Sequence, residues 1–330
     1  MSFRKNKKIL VTGGAGYIGA HMVRLLREKG YAPVVFDNLS TGFRSFVPNG
    51  VPFVKGDLRR PKDIECLFKK YNFSAVIHFA ASIVVSESVT QPLEYYENNV
   101  VGSLNLVKAM IENKVYHLVF SSTAAIYGKC KDLPVKEDCP AKPENPYAAT
   151  KYIVEQMLHD VSAATPLRYV ALRYFNVTGS HPRGDIGIKK ADPTHLIPSI
   201  MKVARGVKNH LIVFGDDYDT PDGTCIRDYI YVMDLCDAHL KALKVLQYRG
   251  VSDVFNLGTE RGFTVKEVVD LAKEVTGKKI PYVIGKRRAG DIPSLIANCA
   301  KAEKILKWKH KTSLREMLLT AWNWEIKSSG

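Results

Sequence analysis

Residues 8–19 read KILVTGGAGYIG, and this stretch decides the fold. Lys8 to Thr12 is a short apolar run of strand character, and YIGAHMVRLLREKG has the periodicity of a helix ending at Gly30. Between the two, Gly13, Gly16 and Gly19 stand at G-x-x-G-x-x-G spacing. The first glycine permits a tight turn out of the strand. The second lets a diphosphate approach the backbone, and the third lets the helix pack close to the sheet. The helix start offers unpaired N–H groups and the positive end of its dipole to phosphate. Asp37 closes a second apolar run, APVVFDN, 18 residues past Gly19, where a carboxylate accepts hydrogen bonds from adenosine ribose hydroxyls. Together these features predict a dinucleotide site. No arginine adjoins Asp37 to take a 2′-phosphate, which favours NAD, while Arg44 in the following loop keeps NADP open.

Outward from this unit, strands and helices alternate. VPFVKGDL, SAVIHFAA, HLVFSSTAAIYG and RYVALRYFNV read as further strands. PKDIECLFKKY, PLEYYENNVVGSLNLVKAMIENK and NPYAATKYIVEQMLHDVSAA read as helices, the second as one long helix. Short apolar strands between helices predict an α/β fold, a Rossmann-type doubly wound parallel sheet with helices on both faces. From Asn176 the pattern loosens into polar loops, HPRGDIG and GDDYDTPDGTCIRDY, too long for simple connections and of the kind that often carry function. The expected division is a dinucleotide-binding domain over 1–175 and a smaller C-terminal α/β substrate-binding lobe over 176–330. Segments near 225–260 are expected to pack back on the first domain. Thr264 opens a late helix. Asp57, after the third strand, either faces adenine or caps the next helix.

Composition narrows the function classes. The chain of 330 residues is 46% apolar, enough to bury a full core. It has no uninterrupted apolar run of roughly 18 residues, so no membrane span is expected. The first apolar run leads into the glycine motif rather than a small-residue cleavage site, and reads as a strand, not a secretory signal. The formal charge of +15 suits a phosphorylated substrate and could also suit nucleic acid. The basic residues are spread, their densest groups (Lys5 to Lys8, Lys278 to Arg288) are short, and no RNA-binding aromatic motif accompanies them. Nucleic acid is therefore not expected as a partner. Six cysteines form no CxxC pair and no metal-ligand spacing, so no metal is expected. Scattered thiols read as incidental and fit a reducing compartment, the cytoplasm.

Tyr147 and Lys151 stand four apart in a predicted helix and share a face. A free tyrosine, with a pKa near 10, is a poor base at neutral pH, and a neighbouring ammonium favours the phenolate. The same lysine can hold the nicotinamide ribose. Ser122 and Thr123, at the end of the fifth strand, offer hydroxyls to complete the set. The position of this group in a dinucleotide fold predicts a catalytic site.

These residues lie in blocks that resemble a known superfamily. TGGAGYIG, GDL, HFAA, NNVVGSLNLVKAM, SSTAAIYG, NPYAATK and LRYFN resemble the extended short-chain dehydrogenases/reductases. LRYFNVTGSHPRGDIG, FGDDYDTPDGTCIRDYIYVMDL, FNLGTERGFTVKEVV and RRAGDIPSLIAN resemble, more closely, its UDP-glucose 4-epimerase (UDP-galactose 4-epimerase) family, over nearly the whole chain. The resemblance implies reversible inversion of C4 in a UDP-hexose through a transient 4-keto sugar, with tightly bound NAD. It implies that Tyr17 and Ile18 cover the pyrophosphate, and that Asp37, Asn38, Leu39, Ser40, Thr41 and Gly42 hold the adenosine ribose. Asp57 and Leu58 would flank adenine, and Phe79, Ala80, Ala81, Ile83 and Asn98 would line the cofactor. Thr123, Tyr147 and Lys151 would do the chemistry, Ser122 would adjoin the cofactor, and Phe175 would abut the nicotinamide. Asn176, Leu196, Phe214, Arg227, Arg288 and Asp291 would bind the nucleotide. The two arginines also suit a diphosphate on physical grounds.

Four departures from the family pattern stand out. Thr123 replaces a common serine and keeps the hydroxyl. Ile83 replaces a frequent lysine. Thr194 and His195 replace an Asn-Asn pair. Leu295, of intermediate bulk, occupies the gate against N-acetylated sugars. The alternatives are a 4-epimerase of another UDP-sugar (N-acetylhexosamine, glucuronate or pentose), a sugar-nucleotide 4,6-dehydratase, and a non-catalytic NAD-binding regulator. A dehydratase needs an Asp-Glu pair after the strand threonine, where this chain has Ala124 and Ala125. A regulator has no need of Thr123, Tyr147 and Lys151. The resemblance also implies a cytoplasmic homodimer joined through a helix pair near 98–110 and 147–159.

Overall fold

The alternation of apolar strands and helices is realised in the computed structural model, which describes residues 7–130, 132–189, 193–288 and 291–328. Lys5 of the basic start, and Ala289 and Gly290 between Arg288 and Asp291, lie outside the described residues. The first half runs β1 (Lys8–Thr12), α1 (Tyr17–Glu28), β2 (Ala32–Asp37), β3 (Phe53–Lys55), α2 (Pro61–Lys70), β4 (Phe73–His78), α3 (Val85–Thr90), α4 (Pro92–Tyr95), α5 (Gly102–Glu112), β5 (His117–Ser121), α6 (Pro146–Ala164) and β6 (Arg168–Tyr174). The second runs β7 (Asn176–Thr178), α7 (Leu196–Ala204), β8 (Leu211–Phe214), β9 (Ile226–Tyr231), α8 (Val232–Arg249), β10 (Asp253–Leu257), β11 (Gly262–Thr264), α9 (Val265–Thr276), β12 (Tyr282–Gly285), β13 (Ser294–Leu295), α10 (Ala300–Leu306) and α11 (Leu314–Lys327).

Seven strands form one parallel sheet in the order β10-β6-β5-β4-β1-β2-β3. Side chains alternate across it. Ile9 and Val11 join Met22, Leu26, Leu240 and Leu243 on the face covered by α1 and α8. Leu10 between them joins Ile64, Leu67, Leu106, Met110, Val154 and Leu158 on the face covered by α2, α5 and α6. The period of two and the helices on both faces explain why the strand reads as an unbroken apolar run. Each such side chain, fully buried, contributes about 1.5–3 kcal/mol. Strand order reverses between β1 and β4. Ligands of open α/β sheets bind outside the carboxyl ends of the strands at such a point.

The expected single helix over PLEYYENNVVGSLNLVKAMIENK is interrupted: α4 is followed by a π-helical turn at Tyr96–Val101 and only then by α5. The wide turn aims two asparagines inward. Asn99 Nδ2 donates to the Ser82 carbonyl and the Thr150 hydroxyl, each at 3.0 Å, and Asn98 Nδ2 donates to Ser82 Oγ at 3.2 Å. A π turn inside a helix often marks a functional site.

Beyond β6 a small sheet is built on β9, which pairs with β7, β11 and β13. A separate parallel pair joins β8 to β12. Helices α7, α9 and α11 pack over these strands around Ile200, Val268, Val269 and Leu318. Thr264 caps α9 reciprocally with Glu267. Cys130 and Cys139, read as incidental thiols, are joined as a disulfide with Cα atoms 7.0 Å apart. They stand nine positions apart in the chain, and the loop between β5 and α6 folds back to bring them together. No described helix is long and apolar enough to cross a membrane, and no cluster of three potential metal ligands occurs among the described residues.

Candidate active site

The glycine turn between β1 and α1 is closed by its own backbone. Gly13 has φ +68°, and a Cβ there would lie 2.6 Å from the Ala80 amide nitrogen. A Cβ on Gly19 would lie 2.1 Å from the Gly13 carbonyl. Helix α1 starts at Tyr17 after Gly16 with no side-chain cap and no acidic residue in its first turn. Its leading N–H groups and dipole are thus available to an anion, and the cradle fits a diphosphate. Tyr17 and Ile18 form this first turn, with the Tyr17 hydroxyl donating to the Gly179 carbonyl at 2.6 Å. Gly42 of the next loop lies against Ala15.

At the end of β2, the buried Asp37 carboxylate accepts from the Ala15 amide at 3.0 Å and the Leu39 amide at 2.8 Å. These bonds fix its orientation beside the glycine turn. Burial raises its pKa, opposed by the two amides. Asn38 reaches Asp57 (Nδ2 to Oδ2, 3.1 Å), while Ser40 and Thr41 are exposed. Asp57 does not cap α2, whose cap residue is Arg60. Its carboxylate instead takes Arg59 (Nη2 to Oδ2, 2.7 Å), which holds it well below the usual carboxylate range. Leu58 is buried beside it. Phe79, Ala80 and Ala81 follow β4, and the Phe79 ring lies 4.7 Å from that of His239. Ile83 is 51% exposed.

The residues expected to be catalytic gather where β5 ends and α6 begins. Asn145 caps α6 by accepting from the Ala148 amide at 2.9 Å, and Pro146 occupies the first turn. This start sets Tyr147 on the first turn and Lys151 one turn on, both buried. The Thr123 hydroxyl interacts with the Tyr147 phenol, whose pKa is raised by burial and lowered by that contact. Lys151 Nζ donates to the Ser121 carbonyl at 2.8 Å and lies 4.9 Å from the centre of the Phe120 ring. Its pKa falls to about 7, chiefly through burial, with Glu155 acting the other way. The lysine thus points at the strand end rather than the phenol. The expected lowering of Tyr147 by Lys151 is not seen, and burial dominates. The Ser122 hydroxyl donates to Glu155, on the same helix as Tyr147 and Lys151. Phe175 is buried just past β6. Ala124 and Ala125 start a 3₁₀ turn and themselves carry no acid or base.

The residues expected to bind the nucleotide lie on the small lobe. Arg227 of β9 donates to the carbonyls of Ile226 (2.9 Å) and Ile292 (2.8 Å) and lies 3.4 Å from Asp291. Leu295 pairs with Arg227 in register. Arg288 stacks 3.9 Å from the centre of the Phe214 ring and reaches the Thr194 carbonyl at 3.5 Å. Leu196 begins α7. Asn176, one residue past Phe175, donates to the Asp228 carbonyl at 3.1 Å, and β7 pairs with β9. The two sets are therefore adjacent: β7 carries the chain from the end of the large sheet directly to the arginine-bearing strand.

Among the buried charged residues that escaped the sequence reading are Glu155, Arg173 and Asp228, at 4%, 7% and 0% exposure. A charge inside an apolar strand needs a partner, and Arg173 in RYVALRYFNV and Asp228 in IRDYIY are such charges, so for these two the signal was present. Asp228 accepts from the Thr259, Glu260 and Ala297 amides, at 2.7, 3.1 and 3.1 Å, and clamps three segments of the nucleotide lobe together.

Comparison with known proteins agrees with this geometry. Residues 9–258 match the model of the NAD dependent epimerase/dehydratase family. The chain is 49% identical to the UDP-glucose 4-epimerase of Halalkalibacterium halodurans over 96% of its length and 95% of that protein's. It superposes on the UDP-glucose 4-epimerase of Brucella ovis, solved in complex with NAD, with TM-score 0.93 and 46% identity, covering 96% and 97% of the two chains. For the enzyme of Bifidobacterium longum, solved with NAD⁺ and UDP, the TM-score is 0.93 and the identity 40%, covering 98% and 99%. The chain belongs to the NAD dependent epimerase/dehydratase family and, within it, to the UDP-glucose 4-epimerases.

Proposed function

We propose that Tyr147, Thr123 and Lys151 carry out NAD-dependent C4 epimerisation of a UDP-hexose, interconverting UDP-glucose and UDP-galactose. One observation carries the reading: the end of β5 and the first turns of α6 gather a phenol, a hydroxyl and an ammonium at one buried point on the carboxyl edge of the sheet. The glycine cradle opens at the same edge. The C4–H bond is not acidic, so inversion proceeds through the ketone. When bound, NAD supplies an acceptor for the C4 hydride and returns it to the opposite face. Tyr147 takes the O4 proton as the ketone forms and gives it back as the alcohol re-forms. Burial makes that phenol a weaker acid than usual. It therefore needs a cation, and Lys151, one turn along the same helix and bonded here to the Ser121 carbonyl, would have to turn toward the phenol to supply one. Thr123 fixes the phenol and shares the sugar hydroxyl. Asp37 holds the adenosine ribose, and Arg227 and Arg288 hold the UDP diphosphate.

The division of labour follows the chain: residues 1–175 serve the cofactor, 176–330 mainly the nucleotide sugar, with α8 and β10 returning to the first body. A cytoplasmic homodimer completes the reading. Exposed apolar residues beside the π turn, Leu93 (77%) and Val101 (43%), support an interface on the face formed with 98–110 and 147–159; light scattering should give twice the chain mass. The test of function is a coupled assay on UDP-galactose. UDP-glucose should form without added reductant, and its absence from NAD-loaded protein would overturn the reading.

A further inference from the structure

The face of α6 that carries Tyr147 and Lys151 continues one turn further to Glu155, which has no part in the proton or hydride transfers. Spacing by four keeps the three residues on one stripe. Each grips a successive residue of the strand end. Tyr147 meets the Thr123 hydroxyl, Lys151 donates to the Ser121 carbonyl at 2.8 Å, and Glu155 accepts from the Ser122 hydroxyl. Ser122 is 0% exposed and Glu155 4%. Glu155 is held in turn by Arg173 of β6, whose Nε lies 3.1 Å from both carboxylate oxygens and whose Nη2 lies 2.6 Å from Oε2. Arg173 Nη1 donates onward to the Tyr127 hydroxyl at 2.9 Å and the Glu137 carbonyl at 3.1 Å. A buried ion pair is weak evidence of stability, because desolvation offsets much of its attraction. Its place one turn from the catalytic lysine points to another role.

We propose that Glu155, anchored by Arg173, is a positioning residue: it fixes Ser122, and therefore Thr123, against the catalytic helix.

The proposal rests on the catalytic reading of Tyr147, and the test separates the two. Three variants are made: Tyr147→Phe, Ser122→Ala, and the double variant Glu155→Gln with Arg173→Gln, which leaves no stranded charge. For each, kcat and KM for UDP-galactose, bound NAD and melting temperature are measured. Ser122→Ala should lower kcat about tenfold with KM and NAD content unchanged, as expected when a reacting group is misplaced. The double variant should lower kcat about 10–100-fold with NAD content unchanged, because Ser122 loses its anchor. If the double variant fails to fold, Ser122→Ala decides alone, since it keeps the ion pair. Wild-type kcat in Ser122→Ala, or in a folded double variant, would overturn the proposal. An inactive Tyr147→Phe alongside those results would leave the catalytic reading standing; an active one would remove it.

Discussion

Tyr147 is 9% exposed and placed by a cap, a proline and a hydroxyl, so its chemistry can be removed without disturbing its packing. Tyr147→Phe deletes one oxygen. It should keep the melting temperature and the NAD content while slowing epimerisation by at least about 100-fold, the lower end of what a positioned acid–base group supplies. Near-wild-type turnover would mean that another group is the base. Leu295 makes a second prediction. It lies half-buried on β13, paired with Arg227, so its side chain adjoins the residues assigned to the nucleotide sugar. An acetamido group needs the room that the leucine side chain occupies. Leu295→Ser should improve kcat/KM for UDP-N-acetylgalactosamine relative to UDP-galactose by roughly 10–200-fold, or about 1–3 kcal/mol, the range of small pocket changes. Equal efficiency of the unaltered chain on both sugars, with no response to the substitution, would place the gate elsewhere.

The turn from β1 into α1 has no room for an added atom at Gly13 or Gly19. Gly19→Ala sets a methyl 2.1 Å from the Gly13 carbonyl, and backbone on both sides prevents relief. The substitution should cost at least about 1–3 kcal/mol of stability, the usual range for overpacking, and the purified protein should carry little NAD. Full occupancy would show that the cradle is not the phosphate site. This turn, like the six strands of the first half, was legible in the sequence because its determinants are local: glycine spacing, apolar runs, and the i, i+4 stripe of Tyr147 and Lys151. Less local features were not. The π turn at Tyr96–Val101 depends on asparagines reaching Ser82 and Thr150, and YENNVV gives no sign of that within itself. The small sheet is built from strands as short as Ser294–Leu295, whose pairing is decided by β9 far away in the chain. The partner of the Ser122 hydroxyl, Glu155, is likewise revealed only by the fold.

Three of the four histidines buried among the described residues are held neutral. His78 sits between the Thr12 and Ser103 hydroxyls (2.7 and 2.9 Å), His239 against the Leu235 carbonyl (2.9 Å), and His21 against the Tyr17 carbonyl (2.7 Å). Burial lowers their pKa values to about 3, about 4 and about 4. Below the ordinary value near 6.5 the unfolded chain takes up protons that the folded chain refuses. Stability is therefore complete above that pH and is lost as pH falls toward the folded values. Between pH 6.5 and pH 5 each site should cost about 2 kcal/mol, so urea midpoints should drop clearly between pH 7 and pH 5. Unchanged midpoints would mean that the imidazoles are accessible. The fold, the buried tyrosine and the two nucleotide-binding halves together imply that a hydride leaves C4 and returns to the same carbon without reaching water. UDP-galactose carrying deuterium at C4 tests this most directly. Incubated with the purified protein and no added cofactor, it should yield UDP-glucose that keeps the deuterium at C4. UDP-glucose that has exchanged its label with solvent would contradict the account.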